Sequence, residues 1–387
     1  IVMNPQNGEI MAMVNVPEFN LNEPYELNCE VSESISGEEK QNLLNQMWRN
    51  HCINDTYEPG SPFKLLTTSM ALEEGLTSVN DSFYCKPMNI AGQILKCWKS
   101  PGSHGAETLA KGVANSCNPV FVTLSQRLGI DKFYEYLEDY GFMGTTGIDC
   151  PGKATSILQN KNTAGPVGLA TMSYGQGIAC TPIQAMAALT SNGNEGKLMK
   201  PRLVRALADS DGNIIEEFDP TVVRQVVSKQ TASEICQMME GVVSKGTGSE
   251  AYLPGYRVGG KTGTTSDSFD IWFDGFTANY SAALWIGNDV NIKLSSMSPK
   301  AATLWGRIIS QVNNAKGGTY SKRPSNVVTA TIDTKTGQLV TPSTKKKRTE
   351  YFTKGTQPKK AAISEVSVTL CSESGYLATP DCPDTYV

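Results

Sequence analysis

The order of hydrophobic patterns along the chain limits its fold more than any other feature of the sequence. A hairpin-like stretch at 2–16 comes first, a long section with helical spacing follows, and strand-like segments then succeed one another before a last helix. Consecutive strands indicate an antiparallel sheet rather than alternating β-α-β units. We therefore predict an α+β fold. Helices are predicted at 64–72, 106–114, 119–128, 132–140, 182–190, 231–243 and 301–312, and further strands at 203–207, 214–218, 256–259, 271–276 and 282–286.

Composition changes near the end of the last predicted helix. From Lys316 onward Gly, Ser, Thr, Lys and Pro dominate, and Lys345 to Arg348 form a basic run, which we interpret as a solvated face. We predict one large domain over residues 1–314 and a β-rich or loop-rich extension over 315–387.

Charge and hydropathy exclude several classes of protein. The net charge of −4 gives no general attraction to nucleic acid. No apolar stretch approaches the length of a membrane span, and no secretory signal pattern opens the chain. Residues 1–5 already resemble a strand that runs into a turn, so we expect the chain to begin inside a longer protein.

The ten cysteines and two histidines are spread thinly. Because a zinc site usually needs ligands at finger-like spacings, we predict no metal site, and we expect no cofactor. Two cysteine pairs flank apparent turns, Cys85 with Cys97 and Cys371 with Cys382. Each pair is either a local disulfide, which would place the chain in an oxidising compartment, or two free thiols.

Three short motifs carry the candidate chemistry. They are Ser61-Pro62-Phe63-Lys64, Ser116-Cys117-Asn118 and Lys261-Thr262-Gly263. Each motif also occurs a second time, at 343–346, 78–80 and 335–337, so context must choose between the copies. The second copies lie in a lysine-rich loop, a polar linker and a predicted hairpin turn, and none is followed by an apolar helix.

Ser61 is followed by a proline and then by an apolar segment that predicts a buried helix ending at Gly75. Lys64 is one turn along that helix, on the same face. A serine hydroxyl needs a base, and Lys64 can serve only if burial and nearby positive charge lower its pKa. The alternative is that Ser61 is only a helix cap.

The other two motifs also have a structural alternative. Asn118 precedes Pro119, so Ser116-Cys117-Asn118 could cap a helix. The glycines before and within Lys261-Thr262-Gly263 suit a strand edge beside which an extended peptide could lie, or an ordinary turn.

A rival motif overlaps the third one. Residues 255–262, from Gly255 to Thr262, match the phosphate-loop pattern that ends in Gly-Lys-Thr. Such a loop must follow a strand and open a helix, whereas Pro254 precedes this one and a polar run follows it. Nucleotide binding is therefore kept only as a remote alternative.

In this context the chain resembles the transpeptidase domain of penicillin-binding proteins over residues 1–314. The resemblance rests on the order of the three motifs, on Glu58-Pro59-Gly60 before Ser61, and on the stretches 173–177 and 181–185. Pro62 departs from the family's usual small residue. The resemblance implies the fold shared with serine β-lactamases, an α/β fold of the α+β type with an antiparallel sheet flanked by helices and a helical subdomain. Class A and class B features are mixed.

The resemblance implies a two-step acyl transfer on D-Ala-D-Ala stem peptides. Ser61 would be the nucleophile, Lys64 its base and Ser116 a proton relay to the leaving amine. The oxyanion would lie between the backbone amides of Ser61 and Thr264. The substrate-binding residues would be Asn118, Lys261, Thr262, Gly263 and Thr264.

The implied partners are peptidoglycan stem peptides, β-lactam antibiotics and other cell-wall synthesis or division proteins, on the extracytoplasmic face of a membrane reached through an anchor outside this chain. Three alternatives remain: a D,D-carboxypeptidase, a β-lactamase or β-lactam sensor, and a non-enzymatic scaffold. The chain has no Asp or Glu between Asp149 and Glu195, where one group of β-lactamases keeps its deacylating glutamate.

Overall fold

The computed structural model describes residues 1–31, 35–265, 267–294, 298–315, 327–362 and 368–386. The chain divides into two compact units, Ile1–Tyr320 and Ser321–Val387. The predicted boundary at residue 314 lies inside the last helix, and the assignment of the two parts as separate domains stays a prediction. Among the described residues, no helix combines the length and the apolar character needed to cross a membrane.

The first unit contains all the helices of the described residues. They are α1 Gly37–Met47, α2 His51–Asn54, α3 Phe63–Glu73, α4 Leu109–Ala114, α5 Asn118–Leu128, α6 Ile130–Asp139, α7 Gly165–Met172, α8 Pro182–Gly193, α9 Lys229–Lys245 and α10 Ser298–Ala315. Six of the seven predicted helices are confirmed, with boundaries moved by a few residues. The prediction for 106–114 is wrong at its start, because residues 105–108 form a strand.

Strands are shorter and more scattered. They are β1 Val2–Met3, β2 Ile10–Ala12, β3 Ser82–Cys85, β4 Met88–Ile90, β5 Gln93–Leu95, β6 Gly105–Thr108, β7 Ile157–Leu158, β8 Ile178–Ala179, β9 Lys197–Met199, β10 Ala206–Ala208, β11 Ile214–Glu217, β12 Val222–Gln225, β13 Gly259–Thr264, β14 Ile271–Phe276, β15 Ser281–Ile286, β16 Val327–Asp333, β17 Lys347–Thr353, β18 Leu370–Cys371 and β19 Thr385–Tyr386. The second unit contains the last four, paired as β16 with β17 and β18 with β19.

One antiparallel sheet organises the first unit, with strand order β13-β14-β15-β1-β2. The predicted hairpins at 2–16 and 203–218 are confirmed as β1 with β2 and β10 with β11. The strand predicted at 256–259 is shifted, because β13 begins only at Gly259 and continues through the Lys-Thr-Gly motif. β13 is an edge strand of this sheet, and β14 is its partner within the described part of the chain.

Helix α3 is the centre of the larger hydrophobic core. Residues 63–71 are buried on every side, as expected for a helix that is apolar around most of its circumference. α5, α6, α8 and α9 contribute to the same core. A second core lies between the sheet and α10, where Trp305 packs on Phe273 with ring centroids 5.1 Å apart. The helical core therefore holds the start of α3 against β13.

Candidate active site

Ser61 lies in the turn that leads into α3, with its side chain partly exposed. The amides of Phe63 and Lys64 donate to the carbonyls of Gly60 and Ser61 at 3.0 and 3.2 Å, so the turn winds directly into the helix. Pro62 has the helical φ of −53° that a proline supplies at a helix start. Lys64 consequently sits one turn beyond Ser61, as the sequence predicts.

One hydroxyl joins the three sequence motifs. Ser116 Oγ donates to Ser61 Oγ at 3.0 Å. It accepts hydrogen bonds from Lys64 Nζ and from Lys261 Nζ, each at 3.0 Å. Because a hydroxyl has one proton and two lone pairs, these three bonds use its whole hydrogen-bonding capacity. The structure therefore brings Ser61, Lys64, Ser116 and Lys261 together, although they are far apart in sequence.

Ser116 is held in a strained backbone conformation between α4 and α5. Its φ of +55° is in the left-handed region, which side chains other than glycine adopt at a cost of about 1–3 kcal/mol. Its amide donates to Val113 O at 3.1 Å, and the amide of Cys117 donates to Gly112 O at 3.0 Å. The α4 turn thus fixes the conformation that points the Ser116 hydroxyl at Ser61.

Asn118 begins α5 and is bonded at both ends of its side chain. Its Oδ1 accepts a hydrogen bond from Lys64 Nζ at 2.7 Å, and its Nδ2 donates to Lys96 O at 3.2 Å. Lys64 Nζ also donates to Ser116 O at 2.9 Å. The motif at 116–118 consequently holds the Lys64 head group from three directions.

Both lysines are buried, at 1% exposure for Lys64 and 0% for Lys261. Burial lowers the pKa of Lys64 to about 7. Burial and, after it, the positive charge of Lys64 hold the pKa of Lys261 well below its ordinary value. With a pKa of about 7, Lys64 is a neutral amine for a substantial fraction of the time at neutral pH, and this is the form that can accept a proton.

Strand β13 packs directly against the nucleophile turn. A Cβ added at Gly263 would come within 2.7 Å of Pro62 Cδ, and one at Gly60 would lie 3.6 Å from the amide nitrogen of Thr264. Thr262 Oγ1 lies 3.0 Å from Thr247 Oγ1, which holds one side chain of the motif. The backbone amides of the turn and of Thr264 therefore lie close together.

The structure adds positioning contacts that the motifs alone do not indicate. Gly60 N donates to Gly175 O at 3.0 Å, and Trp272 Nε1 donates to Glu58 O at 2.9 Å. The Glu58 carboxylate in turn accepts from the amide of Gly177 at 2.8 Å. The stretch 173–177 gave a sequence signal through the family resemblance, whereas Thr247 gave none.

The competing motifs lie in other settings. Lys335-Thr336-Gly337 forms the predicted turn, since Gly337 N donates to Asp333 O at 2.8 Å. The phosphate-loop alternative is wrong, because Lys261 and Thr262 lie inside β13 and do not open a helix.

The structure places the cysteines whose pairing the sequence left open. The turn predicted between Cys85 and Cys97 is confirmed as the hairpin of β4 with β5, whereas β3, which ends at Cys85, pairs with β6. All ten cysteines, each among the described residues, are free thiols in the structure. Cys85, Cys97, His104 and Cys117 nevertheless converge in space, a grouping that a search for finger-like spacings misses.

Comparison with known proteins gives a consistent result. Residues 1–269 match the family model described as the penicillin binding protein transpeptidase domain. This chain belongs to the penicillin-binding protein transpeptidase family. Residues 323–362 match a second family model, the penicillin-binding protein 1A C-terminal domain.

Two relatives and one solved structure illustrate the similarity. Stage V sporulation protein D of Bacillus subtilis is 40% identical over 267 residues, which is 68% of this chain and 39% of that protein. Penicillin-binding protein PbpB of Mycobacterium tuberculosis is 29% identical over 275 residues, 68% of this chain and 38% of that protein. The D,D-transpeptidase domain of a peptidoglycan glycosyltransferase from Eggerthella lenta superimposes with a TM-score of 0.71 at 25% identity, over 82% of this chain and 77% of that one.

These matches confirm the predicted fold class, the penicillin-binding transpeptidase fold with an antiparallel sheet and flanking helices. The chain spans less than half the length of the two curated relatives. The match at 323–362 agrees with the class A features that the sequence mixes with class B ones.

Proposed function

We propose that this chain is a serine D,D-transpeptidase domain that cross-links peptidoglycan stem peptides, with Ser61 as its nucleophile. The observation that carries the proposal is the Ser116 hydroxyl, which lies 3.0 Å from Ser61 Oγ, Lys64 Nζ and Lys261 Nζ. A serine connected by short hydrogen bonds to buried lysines of lowered pKa has a route by which its proton can leave. The family membership and the names of the relatives support the same reaction.

In the first half-reaction, Ser61 Oγ attacks the carbonyl carbon between the two D-alanines while its proton passes to the neutral amine of Lys64. The amides of Ser61 and Thr264 stabilise the oxyanion, and one such donor is typically worth about 10²–10³ in rate. Ser116 then delivers its proton to the leaving nitrogen as the C–N bond breaks, and Lys64, 3.0 Å away, replaces it with the proton taken from Ser61. Free D-alanine departs and leaves an ester on Ser61.

The remaining site residues bind the peptide. The donor peptide would lie along the edge of β13, where main-chain groups can pair with an extended strand. Lys261, Thr262 and Thr264 would hold its terminal carboxylate, Gly263 would allow the close approach, and Asn118 would bind a peptide amide. In the second half-reaction an amino group from a neighbouring stem peptide attacks the ester carbonyl and gives up a proton to Ser116. The C–O bond to Ser61 breaks, Ser61 Oγ regains a proton, and the new amide bond leaves the serine free.

The location and the partners follow from this substrate. Stem peptides belong to the cell wall, so the proposed site of action is the extracytoplasmic side of a bacterial membrane, with an anchor outside this chain and cell-wall synthesis or division proteins as partners. A D,D-carboxypeptidase differs only in using water in the second step. Incubation with a D-Ala-D-Ala peptide and an acceptor amine separates the two, because a transpeptidase gives cross-linked product and a carboxypeptidase gives the trimmed peptide.

The decisive experiment is the intact mass of the protein after incubation with benzylpenicillin. Wild type should gain one drug mass, and Ser61→Ala should gain none. Ser343→Ala, in the second Ser-x-x-Lys, is the matched control and should be labelled like wild type. An unlabelled wild type with destroyed drug would indicate a β-lactamase, and an unlabelled wild type with intact drug would exclude the proposed acyl transfer.

A further inference from the structure

Four side chains that commonly bind metals converge beside the Ser116 turn. Cys85 Sγ, Cys97 Sγ, Cys117 Sγ and a ring nitrogen of His104 all lie within 4.8 Å of one another. They come from the end of β3, the segment after β5, the residue before β6 and the turn between α4 and α5. We propose that this Cys₃His cluster binds a structural Zn²⁺ ion that holds the Ser-x-Asn turn of the active site.

The spacing within the cluster fits tetrahedral zinc. With Zn–S bonds of about 2.3 Å and Zn–N bonds of about 2.0 Å, a tetrahedral site separates a sulfur from a nitrogen ligand by about 3.5 Å. His104 Nδ1 lies 3.5 Å from Cys85 Sγ and 3.6 Å from Cys97 Sγ. These two sulfur–nitrogen distances therefore already match those of a tetrahedral zinc site.

The chemistry of the ligands selects zinc and a structural role. Soft thiolates with one imidazole favour Zn²⁺ over hard cations such as Mg²⁺ or Ca²⁺. The three cysteines are 3%, 7% and 0% exposed in chain order, so the site is shielded from solvent on the sulfur side. Four protein ligands fill a tetrahedral shell and leave no position for a catalytic water.

A disulfide accounts for the cluster less well. It would use two of the three sulfur atoms and leave a third thiol and the imidazole of His104 facing it without a role. The metal uses all four groups, and the cysteines deprotonate as they bind it.

The cluster is built into the same turn as the active site. Cys117 stands between Ser116 and Asn118, and Asn118 Nδ2 donates to the carbonyl of Lys96, the residue before Cys97. An ion on Cys117 and Cys97 therefore fixes both sides of this contact. It would help to hold Ser116 at its φ of +55° with its hydroxyl on Ser61.

Metal content is the first test, and it does not depend on activity. The 387-residue chain, produced with zinc in the medium and purified without chelator, should contain about one zinc per chain by mass spectrometry of the elements. Cobalt added to the stripped wild-type protein should produce a thiolate-to-cobalt charge-transfer band.

Cys85→Ser and His104→Ala should each weaken zinc binding by more than the 10- to 100-fold that loss of an outer-shell partner costs. Cys29→Ser, at an exposed cysteine outside the cluster, should bind zinc like wild type.

Several outcomes would overturn the proposal. Wild type that takes up neither zinc nor cobalt, whether it has ten free thiols after denaturation or two fewer because of a disulfide, would exclude the site. Zinc that persists in both variants would place the metal elsewhere. The cobalt measurement uses wild type, so it stays decisive even if a variant fails to fold.

Acylation is the second readout. Stripping the zinc from wild type should slow labelling by benzylpenicillin about 10- to 100-fold, as expected when a catalytic group moves by about 1 Å, and added zinc should restore it. Equal labelling rates with and without metal would show that the ion does not position the turn. That result would leave the proposed transpeptidase reaction intact, since it concerns only the metal.

Discussion

At the scale of single residues, Ser116 combines a chemical and a conformational demand. Its hydroxyl connects the nucleophile to two buried lysines, and its backbone is held in the left-handed region. The sequence indicates the serine through the Ser-x-Asn motif, but it does not indicate the strain. A positive φ at a residue other than glycine depends on the α4 turn and its hydrogen bonds, which a local pattern does not encode.

The two demands on Ser116 can be separated by comparing Ser116→Gly with Ser116→Ala. Both variants lose the hydroxyl, so both should be labelled by benzylpenicillin about 10²–10⁴-fold more slowly than wild type. Only glycine relieves the positive φ, so Ser116→Gly should be more stable than Ser116→Ala by about 1 kcal/mol. Urea unfolding of the two purified variants measures the difference. Equal stabilities would mean that the backbone at this position is not strained.

Lys64 predicts the pH dependence of acylation. Its pKa is lowered to about 7 by burial, and the form that accepts the proton of Ser61 is the neutral amine. The neutral fraction increases with pH, so the labelling rate should rise through about pH 7 and level off above it. An unperturbed lysine would give a midpoint near pH 10.4.

The measurement is the second-order rate of drug labelling from about pH 5 to 9, with circular dichroism to show that the protein stays folded. A rate that falls with pH would contradict the assignment, and Lys64→Met should be inactive at every pH.

At the scale of elements, local periodicity predicts helices better than strand partners. The apolar spacing in α3, α5, α6, α8 and α9 suffices because each helix buries one or more faces in the same core. Strand pairing depends on distant segments: β3, which ends at Cys85, pairs with Gly105–Thr108 and not with the nearby segment that leads to Cys97. Because local spacing does not predict this pairing, it does not indicate the Cys₃His cluster either, whose residues come together only when β3 and β6 pair.

The contact between the nucleophile turn and the 173–177 stretch gives a sharp test of element packing. Gly175 has a φ of +83°, and a Cβ there would come within 2.0 Å of Gly60 O. Gly175→Ala should therefore destabilise the protein by about 2 kcal/mol or more and slow drug labelling strongly, because the turn that carries Ser61 must move.

Gly241→Ala is the matched control for this substitution. Gly241 lies within α9, and among the described residues no atom outside that helix's own backbone lies within 4 Å of an added Cβ. Alanine there should therefore raise stability by about 1 kcal/mol or less. Urea unfolding and labelling rates compare the two variants. A Gly175→Ala protein with wild-type stability and labelling would show that the turn does not require this close approach.

At the scale of the whole molecule, the candidate site belongs to one unit. Ser61, Ser116 and Lys261 all lie within Ile1–Tyr320, and so does the Cys₃His cluster. The change of composition after residue 315 indicates a second part of the chain, but it gives no account of how that part folds. The hydrophobic periodicity of that part is low, so the sequence does not predict β16 to β19. These strands are recognised only by their pairing.

A truncation tests whether the first unit carries the chemistry by itself. A chain that ends at Ala315 keeps α10 and every proposed site residue. Its rate of labelling by benzylpenicillin should therefore stay within about twofold of that of the full chain, which corresponds to about 0.4 kcal/mol. Loss of labelling in a truncated protein that unfolds cooperatively would assign a catalytic role to residues 316–387.

The sheet order has a consequence for how the protein acquires its activity during synthesis. β1 lies between β2 and β15, so Val2 and Met3, which are synthesised well before residues 281–282, must wait for those residues before their sheet can close. Such distant pairing makes folding slow, because the entropy of closing the intervening loop is lost before the contact stabilises the chain. Ser61 and Lys261 likewise come together only after the later part of the chain has been synthesised. A fluorescent penicillin would then label only molecules that have completed the sheet. Its rate of attachment to nascent or refolding chains would therefore report the rate of the last folding step.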